Sequence, residues 1–186
     1  YPHKNMPFLL QAFHHFGSLL GRMHQLILAG AHSRFYNRLL STDTAKTLLE
    51  NGDLIYKEAP NDTALEELYA GATAVICPAL IEGFGLPALE AAARGVPVIA
   101  SRIPAFEEVL GDTATYFDPR DVETLVGSFR LICHPEFISG SPNENSEMLK
   151  QVQHDKLLSH AAQFSWRNTA EKTLNAYEAI KNAFCQ

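Results

Sequence analysis

One stretch, residues 73–95, most restricts what this chain can fold into. Thr73-Ala74-Val75-Ile76-Cys77-Pro78 is a short apolar run that reads as a buried strand, and Leu86 to Gly95 reads as a short helix. Two glycines one residue apart, Gly83 and Gly85, sit between them. Pro87 suits the first helical turn, where its missing N–H costs nothing, and Gly95 suits the position just past the end. At such a turn backbone can approach a ligand closely, and the free N–H groups of the helix start carry partial positive charge. An anion fits there, most often a phosphate. Glu82 stands in the loop just before the glycines, and Glu90 about one turn inside the helix. Glu90 has two readings: a carboxylate favoured by the helix dipole alone, or one that reaches a ribose hydroxyl. A bare Gly-x-Gly also makes ordinary turns, so the stretch needs its context.

That context is an alternation of strands and helices. Met6 to Leu20 carries apolar residues at Phe8, Leu9, Ala12, Phe13, Phe16 and Leu19, a helical spacing with one buried face. His24 to Gly30 reads as a buried parallel strand, Arg34 to Glu50 as one helix stopped by Asn51-Gly52, and Asp53 to Tyr56 as a short strand. Asn61-Asp62 caps a helix to Ala70, with Leu65, Leu68 and Tyr69 facing inward. Strands follow at Ala74 to Pro78, Val96 to Ala100 and Thr113 to Asp118, with helices at Pro104 to Gly111 and Val122 to Ile132. Ser165 caps a last helix on which Trp166, Ala170, Leu174 and Tyr177 share a face; Trp166 is expected in the core rather than at a ligand, with that face partly exposed in this segment. This rhythm predicts an α/β chain, a Rossmann-like doubly wound parallel sheet with helices on both faces. Ligands of such sheets sit at the carboxyl ends of the strands. Lys4, the Gly30 turn, Lys57 to Asn61 and Glu82 to Glu90 all converge on that rim.

Composition narrows the function classes. The 186 residues are 46% hydrophobic and 19% charged, as expected of one globular domain. A net charge of −6 with no basic block argues against nucleic-acid binding. No apolar run approaches the length of a membrane span. Cys77, Cys133 and Cys185 are too widely spaced for a metal or disulfide pattern, and the simplest context is a reducing cytoplasm. The stretch His134 to Asp155, rich in Gly, Pro, Ser and Asn, breaks the pattern. We expect one domain over residues 1–186 with a flexible insertion at about 135–155.

Glu82 and Glu90 are separated by seven residues, with Gly-Phe-Gly-Leu-Pro between them, and Ala88 to Ser101 continues as ALEAAARGVPVIAS. This text resembles the Glu-x7-Glu motif of family-4 retaining glycosyltransferases, the glycosyl transferases group 1 of the GT-B fold. The resemblance covers nearly the whole chain. It implies a C-terminal, donor-binding domain lacking its first strand, an arginine on that strand, and the acceptor-binding N-terminal domain. The implied reaction moves a mannose- or glucose-like hexose from a UDP- or GDP-linked donor to an acceptor hydroxyl with retention. It uses no cofactor and no essential metal, in keeping with the lack of an Asp-x-Asp motif.

Roles carry over by position. Lys4 matches a lysine that grips the nucleotide diphosphate; its other reading is a solvated lysine near a chain end. Backbone N–H groups at Gly83, Phe84, Gly85 and Leu86 would hold the diphosphate, Glu90 the ribose, and Glu82 the donor sugar's hydroxyls. The loop from Lys57 through Pro60 to Asn61 would lie against the base, with Glu58 where the family usually shows glycine. Implied partners are the donor and, through the missing half, a glycan or lipid-linked acceptor at the inner face of the cytoplasmic membrane. The isolated segment is expected to be inactive. Two alternatives stay open: another GT-B enzyme such as a sugar-nucleotide epimerase, and a non-catalytic nucleotide-sugar-binding domain.

Overall fold

The computed structural model describes residues 2–20, 24–31, 33–133 and 154–184. A 3-10 turn, Pro2–Lys4, leads into α1 (Met6–Leu20). Then come β1 (Leu26–Gly30), α2 (Arg34–Leu40), α3 (Asp43–Glu50), β2 (Leu54–Glu58) and α4 (Asp62–Ala70). The second half runs β3 (Val75–Cys77), α5 (Leu86–Ala92), β4 (Val98–Ser101), α6 (Pro104–Leu110), β5 (Thr115–Phe117) and α7 (Val122–Cys133). Helical residues 154–161 form α8, and α9 is Trp166–Phe184.

β4 explains the layering. All four of its residues are buried, and successive side chains of a strand point to opposite faces. Ile99 joins a core with Leu9, Phe13, Phe16, Leu28, Leu48 and Phe129 from α1, β1, α3 and α7. Val98 and Ala100 join a second core with Tyr69, Ala88, Ala91, Phe106 and Val109 from α4, α5 and α6. Helices therefore cover both faces, and the continuous apolar text of the strand follows from two-sided burial. Every strand pairing is parallel, with Leu26 opposite Leu54, Val75 opposite Val98, and Ile99 opposite Thr115.

The sheet differs from the single one expected. Its hydrogen-bonded pieces are β1–β2 and β3–β4–β5. The helix expected from Arg34 to Glu50 is also two. Thr42 takes extended backbone, its Oγ1 accepts from the Ala45 N–H, and Ser41 Oγ donates to the Arg38 carbonyl. Side-chain oxygens thus satisfy the backbone of a new helix start in place of continued helix.

Of the stretch read as an insertion, 134–153 lies outside the described residues, and His154 and Asp155 are already helical. α8 docks Leu157 and Ala161 against Ala92. Its ring nitrogens reach backbone oxygens at both ends, His154 Nδ1 to Gly95 at 3.1 Å and His160 Nε2 to Val109 at 2.8 Å. Trp166 does not enter the core: it is 90% exposed, and Leu174 and Tyr177 are exposed with it. The apolar stripe of α9 has no facing element among the described residues, so spacing alone did not bury it.

Gly85 makes a tight turn at the start of α5. It has φ 90°, and an added Cβ would lie 2.5 Å from the Phe106 ring. Gly85→Ala should cost about 2–4 kcal/mol from left-handed backbone and overpacking together. Urea unfolding measures this; an unchanged midpoint would mean the turn relaxes freely.

Candidate functional site

The N-terminal turn and the loop after β3 are held together by backbone and by charge. The Leu80 N–H donates to the His3 carbonyl at 2.7 Å, and Lys4 Nζ donates to Glu82 Oε2 at 2.6 Å. Asn5 Nδ2 reaches the Pro119 carbonyl just past β5 at 2.9 Å. The start of α1 is thus anchored at the carboxyl ends of β3 and β5. Lys4 and Glu82, 78 residues apart, form a partly buried ion pair with side-chain exposures of 39% and 22%.

The glycine loop follows directly. Gly85 sits at the N-cap of α5 with no side-chain cap, and Pro87 occupies the first turn. Among the described residues the N–H groups of Gly83, Phe84 and Gly85 donate no hydrogen bond. Phe84 and Leu86 are exposed at 42% and 58%. On the far side of the loop a cleft of about 540 Å³ opens toward α6, lined by Ile81, Glu82, Phe84, Pro104, Glu108 and Phe164. That volume is within the range of small-molecule sites, roughly 300–1,000 Å³.

Glu90 lies half-buried in α5. Its Oε2 accepts from Tyr69 Oη at 2.9 Å, and Tyr69 itself is 7% exposed. The Arg94 guanidinium stacks 4.8 Å from the Tyr69 ring centroid and bonds Glu66 at 2.8 Å. Burial, then the hydrogen bond and charge of Glu90, push the Tyr69 phenol well above its ordinary range. Cys77 closes β3 beneath the pair. Its burial, with the Glu82 carboxylate adding and Lys4 opposing, raises the thiol to about 12.

Lys57 is exposed in β2 opposite Ala29, and Pro60 is half-buried in the following loop. Both stand at the carboxyl end of β1–β2, in the other piece of the sheet from Glu82. The left-handed residue of this loop is Ala59, with φ 38°, one position after Glu58. Its N–H donates to the Gly30 carbonyl at 2.8 Å, which also accepts from Tyr56 Oη at 3.0 Å, so the exits of β1 and β2 are tied together. The structure therefore joins Lys4, Glu82 and the glycine loop, sets Glu90 on the adjoining helix, and leaves Lys57 and Pro60 at a separate part of the rim. Sequence reading assigned Tyr69 only to the core. A buried tyrosine beside a candidate carboxylate carried the signal, because its hydroxyl must find a partner.

The sequence model of the family "Glycosyl transferases group 1" matches residues 1–151. The chain is 33% identical over 183 residues to O-antigen chain mannosyltransferase B of Escherichia coli, covering 96% of this chain and 44% of that protein. It is 34% identical over 142 residues to MMP alpha-(1->4)-mannosyltransferase of Mycolicibacterium hassiacum, covering 73% of this chain and 32% of the relative. Among solved structures, sucrose-phosphate synthase from Thermosynechococcus elongatus superposes with TM-score 0.72 at 19% identity over 98% of this chain and 44% of that one. The catalytic domain of cholesterol-alpha-glucosyltransferase from Helicobacter pylori gives 0.68 at 16% identity, covering 89% of this chain and 93% of that one.

The architecture is that of a GT-B glycosyltransferase domain. This chain belongs to the glycosyl transferases group 1 family. It spans less than half the length of these curated relatives. Among the described residues no helix is long and apolar enough to cross a membrane.

Two measurements probe the rim. Ala59→Gly relieves a left-handed alanine and should raise Tm by about 2–4 °C, read by calorimetry; a lower Tm would place the strain elsewhere. Cys77 should make stability pH-dependent on the alkaline side. Below the ordinary thiol value of 9.0 both states are protonated and its contribution is intact. Above it the unfolded chain ionises while the native site does not, so stability falls by about 1 kcal/mol per pH unit toward 12. Cys77→Ala should flatten the decline between pH 9 and 11 in urea titrations; an identical slope would sink the assignment.

Proposed function

We propose that this chain is the donor-binding domain of a retaining glycosyltransferase that moves a hexose from a nucleotide diphosphate sugar to an acceptor hydroxyl. The observation that carries the reading is the convergence of Lys4 and Glu82 beside the N–H groups of Gly83, Phe84 and Gly85, which are unpaired among the described residues. Without a donor the ammonium and carboxylate satisfy one another. A diphosphate seated on the loop competes for Lys4, which then neutralises charge on the leaving group. Glu82, released, turns to the hydroxyls of a sugar in the adjoining cleft. Glu90 accepts from the ribose, and the loop from Lys57 to Pro60 lies along the base.

Mannose is the favoured sugar, because O-antigen chain mannosyltransferase B and MMP alpha-(1->4)-mannosyltransferase are named for it. The acceptor, a glycan or lipid-linked sugar, is met by a second domain, and this segment alone transfers nothing. Neither a metal nor a cofactor has a role in the scheme.

Titration of the isotope-labelled chain with UDP, GDP and ADP, followed by amide shifts, tests this. One nucleotide should shift residues 83–90 and 57–61 selectively. Lys4→Ala should weaken the diphosphate about tenfold while sparing the nucleoside. Equal affinities of the variant and the unchanged chain for that nucleotide would refute the assignment.

A further inference from the structure

Glu90 does not stand free in the site; it is held. A carboxylate on a flexible side chain has a broad terminal torsion, so its orientation must come from a partner. Tyr69 supplies it: a rigid ring, buried in the second core, whose hydroxyl meets Glu90 Oε2 at 2.9 Å and lies 3.4 Å from the Pro87 carbonyl. A phenol has one proton to donate, and the carboxylate is the closer and stronger acceptor. The ring is fixed in turn. Arg94 covers it at 4.8 Å, while its Nη2 holds Glu66 at 2.8 Å and its Nη1 donates to the Glu90 carbonyl at 3.0 Å. The chain of contacts Glu66–Arg94–Tyr69–Glu90 links α4 to α5 and engages only one carboxylate oxygen. Among the described residues Oε1 takes no hydrogen bond, which leaves it for a ligand.

We infer that Tyr69 is a positioning residue of the nucleotide site: by binding Oε2 of Glu90 it aims Oε1 at the hydroxyl of a ribose. This rests on the reading of Glu90 as the ribose ligand. Tyr69 touches no substrate itself. It converts a mobile carboxylate into an acceptor of fixed direction, so the discrimination of ribose from sugars lacking hydroxyls depends on it. The raised phenol keeps its proton through the physiological range and remains a donor throughout.

Tyr69→Phe removes one oxygen and keeps the ring, its packing and the Arg94 contact. Affinities of the chain for UDP, GDP and ADP, and for their 2′,3′-dideoxy forms, would be measured in the unchanged protein, Tyr69→Phe, Glu90→Gln and the double variant. Thermal melts confirm that each is folded. We expect Tyr69→Phe to weaken the ribose form of the preferred nucleotide about five- to tenfold and to leave its dideoxy form within twofold. In the Glu90→Gln background the further loss of the hydroxyl should have little effect. Equal losses for ribose and dideoxy forms, or no loss, would overturn the positioning role while leaving Glu90 intact. If the unchanged protein does not prefer the ribose form, or Glu90→Gln keeps that preference, the Glu90 reading fails first and the inference with it.

Discussion

The structure depends on the two-sided burial of β4. A strand whose every residue is hidden must be covered above and below, and Ile99 on one face and Val98 and Ala100 on the other recruit different helices. Placing α1 and α7 on one side and α5 and α6 on the other brings strand-to-helix loops from both layers together at the carboxyl rim. The floor of the candidate site, Cys77 at the end of β3, is buried in the second core. A thiol held at about 12 by burial is a structural neighbour of Lys4 and Glu82, not a nucleophile.

Charge in and around the site is arranged in pairs. Lys4 meets Glu82, Arg94 meets Glu66, and Glu90 meets a phenol in place of a cation. The first of these pairs is open to exchange: its members are partly exposed, and an exposed ion pair contributes only about 0–1 kcal/mol. A diphosphate can take the ammonium without a large energetic penalty. Glu90 is different, because a neutral donor orients it without neutralising it, and its second oxygen stays available.

Much of this was legible in the sequence. The helix Met6–Leu20, the Asn61 cap and the Ser165 cap fall where spacing and cap chemistry put them, and the strand read as His24 to Gly30 forms over Leu26–Gly30. The Glu-x7-Glu text named the family before any coordinate was needed. Departures came where local preferences compete. Ser41 and Thr42 were read as helix interior, yet their hydroxyls end one helix and start another. In the loop after β2 the left-handed residue is Ala59, a conformation that sequence reading did not anticipate for an alanine. Trp166 has the size and spacing of a core residue but lies on a helix with no facing layer among the described residues.

The sequence by itself determined the periodicities, the caps, the glycine turn and the family, because each depends on residues close in the chain. Only the tertiary structure decided which distant groups meet. Lys4 finds Glu82 across 78 positions, Tyr69 finds Glu90 across 21, and the parallel strands divide into two hydrogen-bonded pieces. No local pattern encodes such meetings, since a lysine before a helix or a tyrosine on its inner face fits many folds. What selects among them is packing: the backbone path over a common core brings certain side chains within hydrogen-bond distance and separates the rest.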